Sequence, residues 1–335
     1  MINIAIIGYG YWGPNLVRNF MLTDGAAVTV VCDASADRRA AVEKVYPSIR
    51  TVADADAVFA DDSIDAVAIA TPVSSHFPLG MQALEAGKHV LIEKPIAASV
   101  VEAEALVAEA DRRGLTLMVD HTFIYTAAVR KMHELVEAGE LGDLYYYDSV
   151  RVNLGLFQSD VSVIWDLAVH DLSIMDRLFG TPPTSVSATG MAHVPGEPVN
   201  IAYLTCSFPD NRIAHFHVNW LAPVKVRQTL LCGSEKMVVF DDIEMSEKIK
   251  VYDKGVVMSQ EPANTIQRHV GYRTGDMWAP RIDNIEALAI EAAHFVECIE
   301  TGATPITDGH AGLRVVRILE AATASLEQNG APVAL

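Results

Sequence analysis

Residues 1–13, MINIAIIGYGYWG, decide the fold. A short apolar run from Ile2 to Ile7 leads straight into Gly8-Tyr9-Gly10-Tyr11-Trp12-Gly13. This is G-x-G-x-x-G at the end of a strand. The first glycine permits a tight turn. The second lets a pyrophosphate approach the main chain, and the third lets the next helix pack closely on the strand. The helix starting there offers free N–H groups and the positive end of its dipole to phosphate. Alone the hexapeptide is a weak signal, because glycines also serve ordinary turns. Its surroundings strengthen it. A helical pattern of Leu16, Val17 and Phe20 follows, then a β-branched run at 28–32, then Asp33. Asp33 stands 20 residues beyond Gly13, where an acid can bind the ribose 2′-OH of NAD. Arg38 and Arg39 on the next helix read as a solvated face; a place near a 2′-phosphate is the alternative and leaves NADP open.

The same grammar continues to residue 123. Strands are expected at 66–70, 89–92 and 116–119, and helices at 37–45, 78–86 and 99–113. Continuous β-branched runs separated by helices call for a parallel sheet covered on both faces. After 124 the pattern changes. Helices are expected at 127–138 and 163–178, and strands at 144–152, 185–191, 201–208, 213–220, 227–232, 237–240 and 249–252. Their alternation describes a largely antiparallel open sheet with helices on one face. The polar stretch 254–281 lacks periodicity and reads as a long excursion, and helices at 284–300 and 310–328 close the chain. The fold class is α/β. A dinucleotide-binding domain spans 1–123 and a substrate-binding and oligomerisation domain spans 124–335, with the last helices free to pack back on the first.

The formal charge of −18, from 25 basic and 43 acidic residues, argues against nucleic acid or an anionic membrane as partner. It does not exclude a phosphorylated ligand, which backbone N–H groups can hold. Half the residues are hydrophobic, yet no apolar run reaches the roughly 18–20 residues of a membrane span. The N-terminus lacks the zones of a signal peptide. Cys32, Cys206, Cys232 and Cys298 are scattered and form no C-x-x-C, so they read as reduced thiols of a cytoplasmic protein.

Two segments could carry chemistry. Glu93-Lys94-Pro95 follows a buried strand at its carboxyl end, the edge where open α/β sheets bind ligands. A lysine there can point into the crevice; a snorkelling surface lysine is the bland alternative. In Trp165-Asp166-Leu167-Ala168-Val169-His170-Asp171, Asp166 and His170 are four apart and share a helix face. Acid/base chemistry, zinc ligation and a structural pair all fit that spacing. No third metal ligand can be placed, so no metal is assigned. His121 ends the last strand of the first domain and is a candidate to line a nicotinamide pocket. His215 and His217 share a strand face that reads as exposed or oligomer-facing, and Tyr145-Tyr146-Tyr147 reads as packing. Ile213, Phe216 and Val218 are expected on one face of the open sheet that would stay wet without a partner copy. Arg151, Asn153 and Arg281 are polar residues expected near the cleft.

Together these residues resemble the Gfo/Idh/MocA family. The resemblance covers essentially the whole chain: Gly8–Gly13, Ala70-Thr71-Pro72 with His76, Glu93-Lys94-Pro95, Asp166-x-x-x-His170, and the closing Phe295…Gly302…Pro305-Ile306-Thr307-Asp308-Gly309. It implies a Rossmann domain carrying NAD(P), a second domain whose open sheet builds homodimers or homotetramers, and sugar, inositol or sugar-nucleotide substrates. The implied catalytic set is Lys94, Asp166 and His170. The implied cofactor contacts are Gly8, Gly10, Tyr11, Trp12, Gly13, Asp33, Thr71, Pro72, Ser75, His76, Glu93, Lys94, Pro95, His121 and Trp165. Substrate contacts are Lys94, Arg151, Asn153, Asp166 and His170. The segment 151–158 followed by 165–171 looks like a branch acting on C3 of nucleotide-linked sugars. The family also contains regulators that bind NAD(P) and a sugar without turnover, and these are the alternative.

Overall fold

The computed structural model describes residues 1–155, 161–258 and 270–335. Residues 156–158 of the C3-type segment and the centre of the expected excursion lie outside them. The first elements are β1 (Ile2–Ile7), α1 (Gly13–Leu22), β2 (Ala26–Cys32), α2 (Ala36–Val45), β3 (Arg50–Val52), α3 (Asp56–Phe59), β4 (Ala66–Ile69), α4 (His76–Glu85), β5 (His89–Glu93), α5 (Val100–Arg113), β6 (Leu117–Asp120) and α6 (Ala127–Glu137). Next come β7 (Leu144–Leu154), α7 (Val169–Phe179), β8 (Ser185–Met191), β9 (Ile201–Ser207), β10 (Ile213–Asn219), β11 (Leu221–Gly233), β12 (Met237–Asp241) and β13 (Ile249–Tyr252). The chain ends with β14 (Gly255–Met258), β15 (Val270–Arg273), β16 (Met277–Trp278), α8 (Ala287–Thr301), α9 (Gly309–Glu327) and β17 (Val333–Ala334).

Two compact units result. The first comprises Met1–Thr126 and Ile285–Glu320, the second Ala127–Asn284 and Ala321–Leu335. The division is therefore not a single cut at 123, because α8 and most of α9 belong with the first sheet.

In the first unit six strands pair in the order β3-β2-β1-β4-β5-β6, every pair parallel. All four residues of β4 and of β6 are buried, as strands covered on both faces require. The edge strand β3 escaped the sequence reading, because three residues, Arg50-Thr51-Val52, show no period. Helix α5 begins where the Ser99 hydroxyl accepts from the Glu102 N–H and ends at Gly114, whose φ is +66°. The closing motif lies along β6. Val119 N–H donates to Thr307 O at 2.8 Å, and Thr307 Oγ1 donates to Val119 O at 2.7 Å. Gly309 sits so close that a Cβ would lie 2.8 Å from Leu117. Phe295 of α8 meets Phe20 of α1 edge-on, with centroids 6.1 Å apart.

The second unit holds a nine-stranded sheet ordered β16-β13-β12-β11-β7-β10-β9-β8-β17. Only β7 and β10 pair parallel; the other pairs are antiparallel. Along β10, Ala214, Phe216 and Val218 are buried, while Ile213, His215 and His217 occupy the other face. This corrects the grouping of Ile213 with Phe216 and Val218 as one wet face: alternation at period two puts them on opposite sides. Tyr145 and Tyr147 share a face of β7; Tyr147 is buried inside the sheet, whereas Tyr145, at the start of the strand, is exposed. β11 is longer than expected, and its register against β7 shifts between Leu221 and Val226, around Pro223. Within the described part of the 254–281 stretch, β14 and β15 pair antiparallel by themselves and β16 joins the edge of the large sheet.

Candidate active site

The glycine loop shows which of its glycines the fold itself requires. Gly8 has φ +99°, and a Cβ there would sit 2.5 Å from Ala70 O. A Cβ on Gly13 would lie 2.2 Å from Gly8 O. Gly10 is different: its nearest neighbour would be the Arg38 guanidinium at 3.6 Å. Packing does not demand a glycine at 10. A glycine there keeps the main chain at the start of α1 accessible, and its N–H groups are of the kind that can hold a dinucleotide pyrophosphate.

Asp33, buried at the end of β2, accepts from Tyr9 N–H at 2.7 Å and Ser35 N–H at 2.8 Å, with Arg38 Nη1 at 3.5 Å. It therefore ties β2 to the glycine loop. A carboxylate has about four acceptor sites, so capacity remains for a ribose hydroxyl. Arg39 donates to the carbonyls of Asp33 and Ala34. It is a strut, not part of a solvated face. Tyr11 is exposed, whereas the Trp12 indole N–H donates to Asp120 Oδ2 at 2.6 Å.

The ends of β4, β5 and β6 bring further expected residues together. Ser75 Oγ lies 2.7 Å from both Thr71 Oγ1 and Pro72 O, and its one proton serves one of them at a time. His76 is buried, with one ring nitrogen 2.8 Å from Pro95 O and the other 2.8 Å from Thr71 O. Its ring joins the Thr71 loop to the Lys94-Pro95 turn, so it shapes the crevice from behind. Burial, aided by the charge of Lys94, keeps its pKa below the ordinary histidine value. His121 is also buried, and neither ring nitrogen has a hydrogen-bond partner among the described residues. Burial first, and Lys94 second, push its pKa down to about 3. A ring so hard to protonate is unsuited to carrying a proton near neutrality.

In the second unit, the helix expected at 163–178 is a π-helical turn, Ile164–Ala168, running into α7. Such turns are frequent at functional sites. Asp166 lies in the turn and His170 in the first turn of α7. Asp166 Oδ2 accepts from the Trp220 indole at 3.0 Å, and the Trp165 indole donates to Thr323 Oγ1 at 3.0 Å. Arg151, expected to touch substrate, is instead 3% exposed and pairs with Asp171 through two 2.8 Å hydrogen bonds. That ion pair fixes α7 on β7 directly beside His170. Asn153 is half-buried two residues on, on the same strand face as Arg151. Arg281 is exposed.

Sequence reasoning missed Trp220, Asp171, Asp120 and Glu291. A signal existed for Glu291: it interrupts the apolar stripe of Leu288, Ala292 and Phe295 on α8. No cluster of three or more metal-ligating residues occurs among the described residues, and no helix among them is long and apolar enough to cross a membrane. All four cysteines are free thiols.

Comparison with known proteins agrees with this geometry. Residues 2–121 match the family profile described as "Oxidoreductase family, NAD-binding Rossmann fold", and residues 129–239 match "GFO/IDH/MocA C-terminal domain". The D-apiose dehydrogenase of Paraburkholderia graminis is 24% identical, over 95% of this chain and 85% of its own. The UDP-N-acetylglucosamine 3-dehydrogenase of Acidithiobacillus ferrooxidans is 28% identical over 93% of each chain. Its solved structure covers 98% of each chain, with a TM-score of 0.82 at 26% identity.

Proposed function

Since the chain belongs to the GFO/IDH/MocA oxidoreductase family, we propose that it moves a hydride between NAD and a secondary alcohol or ketone of a sugar, inositol or nucleotide-linked sugar. C3 of a nucleotide-linked sugar is the position favoured by the likeness to the 3-dehydrogenase. The reading rests above all on Gly10, the one loop glycine whose missing side chain the fold does not need.

Bound NAD supplies the hydride acceptor or donor. In this reading Gly8–Gly13 hold the pyrophosphate and Asp33 accepts from the adenosine ribose. His170 takes the hydroxyl proton as the carbinol C–H bond breaks, and a ketone results; the reverse path returns both. The Lys94 ammonium offsets negative charge developing on that oxygen. Asp166, fixed by Trp220, orients the group that exchanges the proton. Arg151 serves by anchoring α7 through Asp171.

We also assign the chain to the cytoplasm as a homodimer or homotetramer built on the open sheet face. That face carries Tyr203 and Ile213, 41% and 47% exposed, with Tyr203 stacked on His217 at 4.5 Å. Extended apolar patches are uncommon on monomers.

The test is NADH formation with a panel of UDP-sugars, free sugars and inositols. At least one should turn over, and a nucleotide-linked product should carry its ketone at C3. NAD binding with no turnover on any member would identify a regulator instead.

A further inference from the structure

A pair of buried acids stands behind the glycine loop, and the proposed chemistry uses neither. Glu291 on α8 is 0% exposed, and Asp120 at the end of β6 is 2% exposed. Asp120 gathers donors: the Trp12 indole at 2.6 Å and the Thr122 hydroxyl. The Glu291 carboxyl meets Asp120 and Thr122, yet among the described residues neither of its oxygens has a partner in hydrogen-bond geometry. The single hydroxyl proton of Thr122 is already directed at Asp120. An ionised Glu291 would be a buried charge with no donor, set against a second carboxylate. One proton resolves both problems, because a carboxylic acid is a donor and Asp120 is an acceptor.

We propose that Glu291 is held as a neutral carboxylic acid that donates its proton to Asp120, and that this pair positions Trp12, and with it the glycine loop, for the cofactor. The loop needs such a hold. Trp12 is the N-cap residue of α1, and its side chain makes no capping hydrogen bond. Asp120 is the group that fixes its ring. Burial, then the charges of Asp120 and Glu93, push the Glu291 carboxyl well above its ordinary range, and Tyr125 faces it as a further buried hydroxyl. Burial raises the Asp120 carboxyl as well, but the Thr122, Trp12 and Glu291 hydrogen bonds and the charge of Lys94 all oppose that rise, which makes Asp120 the acceptor of the pair. The helix itself does not depend on Glu291: α8 is also held to α1 by the Arg18–Glu286 pair and by Phe20 against Phe295. Its loss is therefore felt at Trp12 more than in the packing of α8.

The cofactor half of the proposal rests on reading Gly8–Gly13 as the NAD cradle; the proton on Glu291 does not. The experiment separates them. The apo protein should show an infrared C=O band of a protonated carboxyl that disappears in Glu291→Gln. Glutamine keeps a donor toward Asp120, so that variant should bind NADH within about threefold of wild type. Glu291→Leu removes the donor at similar volume and should weaken NADH binding about tenfold or more, with kcat at saturating cofactor little changed. A band that persists in Glu291→Gln overturns the proposal. So does equal weakening of NADH binding by Gln and Leu. If the Leu variant does not fold, the infrared comparison of wild type with Glu291→Gln decides alone. A wild type that shows the band but binds no NADH would overturn the cradle, not the proton.

Discussion

The two sheets dispose of their side chains in opposite ways. Every residue of β4 and β6 is buried, whereas β9 and β10 alternate between buried and partly exposed positions. A sheet covered on both faces has only its strand ends left for chemistry. The first unit accordingly offers main chain and loop residues: the glycine loop, Thr71, Lys94 and Asp120. The larger sheet is covered on one side, and its candidate groups are side chains held by other side chains, Asp166 by Trp220 and α7 by Arg151–Asp171. The proposed function then divides the labour: the first unit would hold the cofactor with its glycine loop and strand ends and supply Lys94, and the second would supply the proton-exchanging side chain.

The strongest test of that division is His170. Replacing it with Ala or Asn should lower kcat by roughly 10²–10⁴ while NADH binding stays near wild type, and the acid limb of the pH profile should vanish. Lys94→Ala should lower kcat too and weaken cofactor binding, since it belongs to the first unit. Asp166→Asn should cost less than either. Near-full turnover in His170→Ala would break the assignment of chemistry to the second unit.

Gly10 against Gly13 sharpens the other side of the comparison. Gly10→Ala should leave the melting temperature unchanged but weaken NAD binding about ten- to a hundredfold, because its methyl occupies ligand space and not protein space. Gly13→Ala should destabilise the fold, since its Cβ would meet Gly8 O at 2.2 Å. Equal losses of thermal stability in the two variants would show that all three glycines serve packing.

A smaller effect concerns the choice of cofactor. Asp33 should favour NAD over NADP by about tenfold in kcat/KM, about 1.4 kcal/mol. Arg38→Ala should widen the gap by removing the cation beside the ribose site. A tenfold advantage for NADP would sink the preference. The least effect on chemistry is expected from the open sheet face. Sedimentation should find a dimer or tetramer at micromolar concentration, and Ile213→Asp should weaken it with turnover per site preserved. A species of only 36.3 kDa in the wild type would refute the assembly.

Much of this was legible because its causes are local. The strand-turn-helix at Ile2–Gly13, the acid at 33, the run ending at Glu93-Lys94 and the Asp166…His170 spacing each lie within a few residues of chain, where backbone geometry and periodicity act directly. Errors arose where local rules are silent. The strand Arg50–Val52 is too short to show a period. Arg151 reads as a polar residue of the cleft because its buried partner, Asp171, lies 20 positions away.

The sequence by itself determined the parallel Rossmann sheet and the NAD-binding character of the first unit, and it supplied the candidates for chemistry. Only the tertiary structure decided their partners. Arg151 is anchored by Asp171, His76 is a strut between two carbonyls, Asp33 holds the glycine loop, and Glu291 reaches Asp120 across 171 positions of chain. The physical reason is that a side chain's charge, proton and freedom are set by burial and by neighbours in space, and those neighbours come from segments whose spacing in sequence carries no trace of the contact.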